Sequence, residues 1–395
     1  MLTCGIIAEY NPFHLGHLHQ INTARQQTGA THIAAVMSGN FVQRGEPALC
    51  DKFARAEMAV RSGADLVVEL PLPFAVAGAQ VFAAGGVGLL NSLGADLISF
   101  GSECGDLPRI AAAAEAIDST KVRASMEALL DKGLTFAAAR EQAVAQHYGE
   151  LSALLGSPND TLAIEYVRAL RLSGSKIAPH AVKRLGAAHD GQPEGQIASA
   201  SHIREMLRSG DKHATDYMPA VAAEILRRQI DSGCFVSSGE KAELLTLHAL
   251  RGMTAEQLAA LPDVSEGLHN RIYQAVRTVT EPSALIDAVK TKRYTHARLR
   301  RICLAALLGI TADMTAEPPP YIRVLAMNDR GAEILAGAKE HCPLPIITRS
   351  RDAHELSGRA KEMFETECRS TDIYGLLTDK IQPCDRDMVH GIIKI

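Results

Sequence analysis

Apolar residues follow two rhythms along this chain. Over the first hundred positions, short unbroken apolar runs at Cys4–Ala8, Ile33–Met37, Leu66–Leu70 and Leu97–Phe100 alternate with longer amphipathic stretches. Unbroken runs of that length read as strands covered on both faces. The stretches between them read as helices from Leu18 onward, over Phe53–Arg61 and over Gln80–Leu93. Strand and helix in alternation define the α/β class. Residues 108–150 are alanine-rich, charged at helical spacing and without strand signal, so they are expected to be helices inserted between strands of one sheet. Asn159-Asp160 opens a helix over Thr161–Leu172, followed by a strand near Ala178–Val182 and a helix over Ile203–Leu207. From 212 to about 315 the pattern is almost wholly helical, and Pro318-Pro319-Pro320 marks a stiff break. Ile322–Ala326, a helix through Ala338 and Ile346–Thr348 then predict a small C-terminal α/β domain. The expected division is 1–210 with an insertion at about 108–150, a helical domain over 211–317, and 318–395.

Composition narrows the class. With 395 residues and 47% hydrophobic content, the chain should fill more than one core. No apolar run is long enough to span a bilayer and residues 1–10 lack the marks of a signal peptide, so a cytoplasmic protein is expected. Eight cysteines without a C-x-x-C pair argue against a zinc site or a disulfide framework. Basic and acidic side chains nearly balance at 41 against 45, so any nucleic-acid surface must be local. Aromatic content of 4% and the absence of tryptophan disfavour a stacking platform for single strands.

The sharpest chemical signal is Asn11-Pro12-Phe13-His14-Leu15-Gly16-His17, just after the first predicted strand. It sets two imidazoles three residues apart around a glycine, where a Rossmann-like first strand hands over to its first helix. A helix N-terminus there attracts phosphate. Gly16 lets a nucleotide lie against the backbone, and His14 and His17 can donate to phosphoryl oxygens as charge develops on them. The pattern predicts attack on an α-phosphorus.

A second phosphate cradle is read at Ile197–Arg204. Ser199 and Ser201 can cap the following helix while Arg204 supplies a permanent charge for departing pyrophosphate, although the same residues would serve an ordinary helix start. Gly101 ends the fourth strand, where a ligand of a parallel sheet lies. Lys183 and Arg184 leave the Ala178–Val182 strand toward a polar loop with His189 and Asp190, and Arg184 is favoured for the site over a solvated role. The loop Ser38–Pro47, dense in amides and glycines and carrying Arg44, suits a small acid or a cover over the nucleotide. Asp51 reads as an N-cap. Lys290, Lys292, Arg293, Tyr294, His296, Arg298, Arg300 and Arg301 form the steepest positive concentration in the chain, suited to RNA phosphates or to plain solvation.

These residues together resemble the tRNA(Met) cytidine acetate ligase family, a branch of the HIGH-signature nucleotidylyl-transferase superfamily. The resemblance is carried by GIIAEYNPFHLGH (5–17), MSGNFVQRGEPA (37–48), ADLVVELP (64–71), FGSE (100–103), LAIEY (162–166) and IASASHIR (197–204), and more loosely by KRYTHARLRR (292–301). It implies a Rossmann-like HIGH-type nucleotidyltransferase domain and an enzyme that makes acetyl-adenylate and pyrophosphate from acetate and ATP. The acetyl group would then pass to the exocyclic amine of the wobble cytidine of elongator tRNA(Met). By the same resemblance ATP is held by Ile7, Ala8, Glu9, Tyr10, Asn11, Pro12, Phe13, His14, Leu15, Gly16, His17, Leu18, His19 and Gln20, with Gly101, Asn159 and Arg184. His14 and His17 would steady the transition state, and Ser199, Ser201 and Arg204 would bind the leaving phosphates, with Mg²⁺ arriving alongside ATP and no metal held by protein side chains. Two departures stand out: Ser201 sits where threonine is common, and Ala188 stands before His189-Asp190 in place of tyrosine. The competing readings are an adenylyltransferase acting on a phosphorylated cofactor precursor, which would not need the basic helical region, and a non-catalytic RNA-binding protein. The latter leaves His14, Gly16 and His17 without purpose.

Overall fold

The apolar runs pair into one sheet that places the ends of its strands along a common edge. The computed structural model describes residues 1–185, 195, 197–265, 267–291 and 293–395. Its strands are β1 (Thr3–Ala8), β2 (His32–Ser38), β3 (Phe41–Val42), β4 (Glu46–Pro47), β5 (Leu66–Leu70), β6 (Leu97–Ser102), β7 (Ala178–Lys183), β8 (Ile322–Met327), β9 (Ile346–Ile347) and β10 (Ile393–Lys394). Among the described residues, eight of them form one sheet in the order β10-β8-β5-β2-β1-β6-β7, with β9 beside β8. Neighbours run parallel except β5 and β8. β3 and β4 make a separate antiparallel ribbon.

Helices α1 (Leu15–Thr28) and α2 (Lys52–Arg61) carry the chain outward from β1 to β2 to β5. Through α3 (Leu72–Ala75) and α4 (Ala79–Ser92) it returns across the sheet to β6, on the other side of β1. That reversal opens a crevice between the carboxyl ends of β1 and β6, the usual ligand position in such sheets. The expected insertion between β6 and β7 is α5 (Leu107–Asp118), α6 (Thr120–Asp131) and α7 (Phe136–Tyr148), with α8 (Pro158–Leu172) leading into β7. Next come α9 (Ala200–Arg208) and α10 (Ala220–Asp231), and then a bundle of α11 (Glu240–Arg251), α12 (Ala255–Ala259), α13 (Leu268–Thr278), α14 (Leu285–Val289) and α15 (His296–Leu308). The C-terminal part adds α16 (Asp329–Lys339), α17 (Ser350–Ala353), α18 (Gly358–Leu377) and α19 (Arg386–Val389).

Because successive strand residues point to opposite faces, each strand feeds two cores. Ala34 and Val36 of β2 join one core with α4 and α8, while Ile33, Ala35 and Met37 join the other with α1 and α2. The first core is very tight where α4 crosses β1: a Cβ on Gly5 would lie 2.4 Å from Leu90, and one on Gly86 would lie 2.5 Å from Ile7. A third core holds the α11–α15 bundle together with Phe41, Leu72, Tyr374 and Leu377.

Two segments sit differently from the sequence expectation. α10 lies within the 211–317 stretch, yet its Ala222, Ala223, Ile225 and Leu226 belong to the sheet's second core. The strand–helix–strand signal after Pro320 is real, but it builds no sheet of its own. β8 pairs antiparallel with β5, aligning Leu66 with Met327 and Val67 with Ala326, and so covers what would otherwise be an exposed apolar edge.

This docking buries a cluster of charges under the second-strand loop. Lys52 Nζ lies 2.9 Å from Glu69 and 3.0 Å from Asp387, and the Arg323 guanidinium donates to Asp387 at 3.1 Å. Thr371 donates to Asp387 at 2.7 Å. Glu367 completes the group, accepting from Leu72 N–H at 3.1 Å. Burial, reinforced by the charge of Glu69, holds the Glu367 carboxyl well above its ordinary range and so favours its neutral form. Asp387 ends below its ordinary range, because Lys52 and Arg323 outweigh the burial that opposes its charge. To the extent that Glu367 is held neutral, the Lys52 and Arg323 cations face the Glu69 and Asp387 carboxylates in balance. Among the described residues no helix is long and apolar enough to cross a membrane.

Candidate active site

Helix α1 begins where it does because of its own histidines. His14 takes an extended backbone, and its Nδ1 accepts the Gly16 N–H at 3.0 Å, while His17 Nδ1 accepts the His14 N–H at 3.2 Å. This is a reciprocal capping box, built from imidazoles rather than from a hydroxyl and a carboxylate. Its chemical consequence is a fixed tautomer, since a neutral ring that accepts at Nδ1 carries its proton on Nε2. The rings stack with centroids 3.8 Å apart, and Tyr10 and Phe13 wall His17 at 4.9 and 5.5 Å. Burial above all, then the charges of Arg184 and Arg204, pull the His14 pKa down to about 3. Burial, His14 and Arg184 hold His17 well below its ordinary value. Both rings are therefore neutral Nε2–H donors at physiological pH.

Around them lies a cleft of about 570 Å³, open to solvent, at the crevice between β1 and β6. His14, Gly16, His17, His19 and Gln20 of the first motif line it, with Gly101 at the end of β6, Lys183 and Arg184 at the end of β7, and Ile197 to Ser199 before α9. Two segments nearly two hundred residues apart in sequence are thus brought to one place. Gly16 acts differently from the expectation that it makes room for a nucleotide: a Cβ there would lie 2.8 Å from His14 Cε1, so the missing side chain makes room for the imidazole. Gly101 similarly lets Arg184 cross it, since a Cβ would lie 3.3 Å from Arg184 Cγ.

The other residues of the first motif support the rim from behind. Ile7 and Ala8 are in β1, and Glu9 accepts the Gln43 N–H at 2.9 Å. Tyr10, Asn11, Pro12 and Phe13 are buried, with the Asn11-Pro12 peptide cis and Asn11 Oδ1 accepting the Leu49 N–H at 2.9 Å. Leu15 and Leu18 sit half-buried on α1. Asn159 stands one step back, its amide donating to Glu103 at 2.5 Å.

At the second cradle Ser199 caps α9, accepting the His202 N–H at 3.2 Å. Ser201 does not share that task. Its hydroxyl accepts from Arg204 Nη2 at 3.2 Å and from Arg44 Nη1 at 3.1 Å, while Arg204 Nη1 donates to the Asn11 carbonyl at 3.0 Å. The second cradle is thereby bolted directly onto the first. Burial, only partly offset by Glu46, works against the Arg204 charge, and burial does the same at Arg184. Such cations favour an anionic ligand.

In the basic segment, three arginines are engaged with other elements of the chain rather than simply solvated. Arg298 donates to the Asp263 carbonyl at 2.7 Å and to Ser265 at 2.9 Å, Arg301 faces the Asp263 carboxylate at 3.4 Å, and Arg300 pairs with Glu46 at 2.5 Å. These three arginines fasten elements together, whereas Lys290 stays exposed. Ala188, His189, Asp190 and Lys292 lie outside the described residues.

Sequence reading overlooked Arg55. This fully buried side chain donates to the carbonyls of Cys50 at 3.1 Å, Glu9 at 2.5 Å and Ser38 at 3.1 Å, and also to that of Gly39. It ties the carboxyl ends of β1 and β2 together. The only hint was an arginine on the apolar face of α2, among Phe53, Ala56, Ala59 and Val60.

A mostly parallel sheet with a strand-order reversal, a histidine-capped first helix and a second cradle before α9 define a nucleotidyl-transferring class. The chain belongs to the HIGH nucleotidyl transferase family, whose model matches residues 1–388. Among its relatives, the tRNA(Met) cytidine acetate ligase of a Thermoanaerobacter species is 40% identical over 400 residues, covering 99% of both chains. The enzyme of the same name from Syntrophotalea carbinolica is 39% identical over 398 residues, 95% of this chain and 94% of that one. Thermotoga maritima TmcAL in its apo form superposes with a TM-score of 0.95 at 31% identity over the whole of both chains. The same protein bound with alpha-thio ATP superposes at 0.92, over 100% of this chain and 99% of the other.

Proposed function

We propose that this chain is an acetate ligase acting on tRNA(Met): it joins acetate to ATP as acetyl-adenylate and passes the acetyl group to the exocyclic amine of the wobble cytidine of elongator tRNA(Met). The observation that carries this is the cleft itself, where neutral imidazole donors meet the Arg184 cation and feel the charge of Arg204 behind them, in a chain whose full length matches ligases of that name and a relative bound with an ATP analogue.

In the first step an acetate oxygen attacks the α-phosphorus, the bond to the bridging oxygen breaks, and pyrophosphate leaves with the electron pair. Acetate is its own nucleophile, so the protein's work is positioning and charge stabilisation. His14 and His17 donate to the α-phosphoryl oxygens, whose charge grows in the transition state. Arg204, held by Asn11 and Ser201, meets the leaving phosphates, and Arg184 lies over Gly101 toward the nucleotide. In the second step the cytidine amine attacks the acetyl carbon, AMP departs, and the amine loses a proton. Mg²⁺ would come with the triphosphate, whose oxygens suit a hard cation. Among the described residues no three histidine, cysteine or acidic side chains gather to hold a metal ion.

Acetate-dependent exchange of labelled pyrophosphate into ATP tests the first step. Exchange is expected with acetate and not without it. No exchange in the presence of acetate, with or without tRNA, rules out the adenylate route.

A further inference from the structure

The β3–β4 ribbon reaches toward three parts of the molecule at once. Its tip, Gln43-Arg44-Gly45, turns through Gly45 at φ +78°. On one side the Gln43 N–H is held by Glu9, behind the histidine pair. On another, a Cβ on Gly45 would lie 2.7 Å from the backbone of Arg300 and of Arg301, so the tip rests on the first turns of α15, and Glu46 pairs with Arg300 at 2.5 Å. On the third, Arg44 Nη1 donates to the same Ser201 hydroxyl that Arg204 uses.

Arg44 is half-buried, and among the described residues no carboxylate lies within ion-pair distance of it. A guanidinium offers five N–H donors, and the hydrogen bond to Ser201 occupies one. Its charge is felt at both Arg184 and Arg204, opposing theirs. Glu46 and Glu9 near Arg204 and Glu103 near Arg184 offset this only in part, so three neighbouring cations stand to gain when a polyanion enters. The Ser201 contact places Arg44 beside Arg204, on the side where pyrophosphate departs.

We propose that Arg44 is a further phosphate-binding residue of this cleft, gripping the β- and γ-phosphates with Arg204, and that Arg300 acts as a positioning residue by holding the ribbon through Glu46. This rests on the reading that ATP occupies the cleft. It also gives the bundle a mechanical hold on the nucleotide site, because the same α15 segment that carries Arg300 is fastened to Asp263 by Arg298 and Arg301.

Calorimetric titration of the full chain with ATP, pyrophosphate and AMP separates the possibilities. Arg44→Gln is expected to weaken pyrophosphate and ATP binding by about tenfold or more, the scale of a lost charged hydrogen bond, and to leave AMP binding within about twofold. Arg44→Lys should fall between, since it keeps the charge but loses the fork. Arg300→Gln should weaken pyrophosphate binding less, and its effect should vanish when Arg44 is already glutamine, because coupled residues are not additive. If folded Arg44→Gln and Arg44→Lys bind pyrophosphate like the wild type, Arg44 has no such role. Equal weakening of AMP overturns the phosphate assignment, and strict additivity with Arg300→Gln overturns the positioning role. Should the wild-type chain bind neither ATP nor AMP, the reading of the cleft itself fails, a result distinct from all of these.

Discussion

Replacing His14 with asparagine is expected to leave α1 folded and to cut acetate-dependent pyrophosphate exchange by about a hundredfold to a thousandfold, the usual cost of one transition-state donor. Asparagine is among the best N-cap residues and can accept the Gly16 N–H as the imidazole does, so the helix start survives. It does not carry a donor as far into the cleft as Nε2. The comparison with His14→Ala is therefore informative: alanine loses both functions and should add about 1 kcal/mol of instability. His17→Ala should show a loss of exchange similar to His14→Asn, because its ring caps the same turn, stacks on His14 and offers the second Nε2–H donor. Thermal melts alongside exchange rates check this. Full exchange in folded His14→Asn and His17→Ala would leave the imidazoles as caps alone.

Lys52→Met should destabilise the protein by about 3–5 kcal/mol, because it leaves two buried carboxylates, Glu69 and Asp387, with Arg323 as the one cation between them. Urea titration measures this. Glu367→Gln should behave oppositely. In the folded chain Glu367 stays protonated far above its ordinary pKa of 4.5, whereas in the unfolded chain it ionises near that value. As pH rises past 4.5 the unfolded state therefore binds fewer protons than the folded one, and stability falls. Glutamine keeps the shape without the titration, so its melting temperature should gain on the wild type as the buffer moves from mildly acidic to alkaline. A constant difference across that range would mean Glu367 is already ionised.

The contrast between these two sites shows what a sequence discloses. The histidine motif was legible because its parts are local: His14, Gly16 and His17 cap one helix turn, directly after a strand whose apolar run is unmistakable. The succession of strands and helices up to β7 was legible from the same runs. What escaped was non-local. Gly16 looked like space for a nucleotide, but only the folded ring of His14 shows what fills that space. The pairings of Arg298, Arg300 and Arg301 were not legible, because their partners, Asp263 and Glu46, are distant in sequence. The strand after Pro320 was read correctly as a strand. Its antiparallel place against β5 could not be read, since no local pattern names a partner more than two hundred residues away. Lys52, Glu69, Arg323, Glu367 and Asp387 are scattered for the same reason and meet only through that docking.

In the proposed reaction acetate itself displaces pyrophosphate at the α-phosphorus held by the histidine pair. Supplying acetate labelled with heavy oxygen, together with ATP and tRNA(Met), and weighing the AMP released by mass spectrometry tests it most directly. Attack at the α-phosphorus predicts one heavy oxygen in AMP for each acetyl group transferred. Unlabelled AMP with the label in inorganic phosphate or pyrophosphate would contradict it.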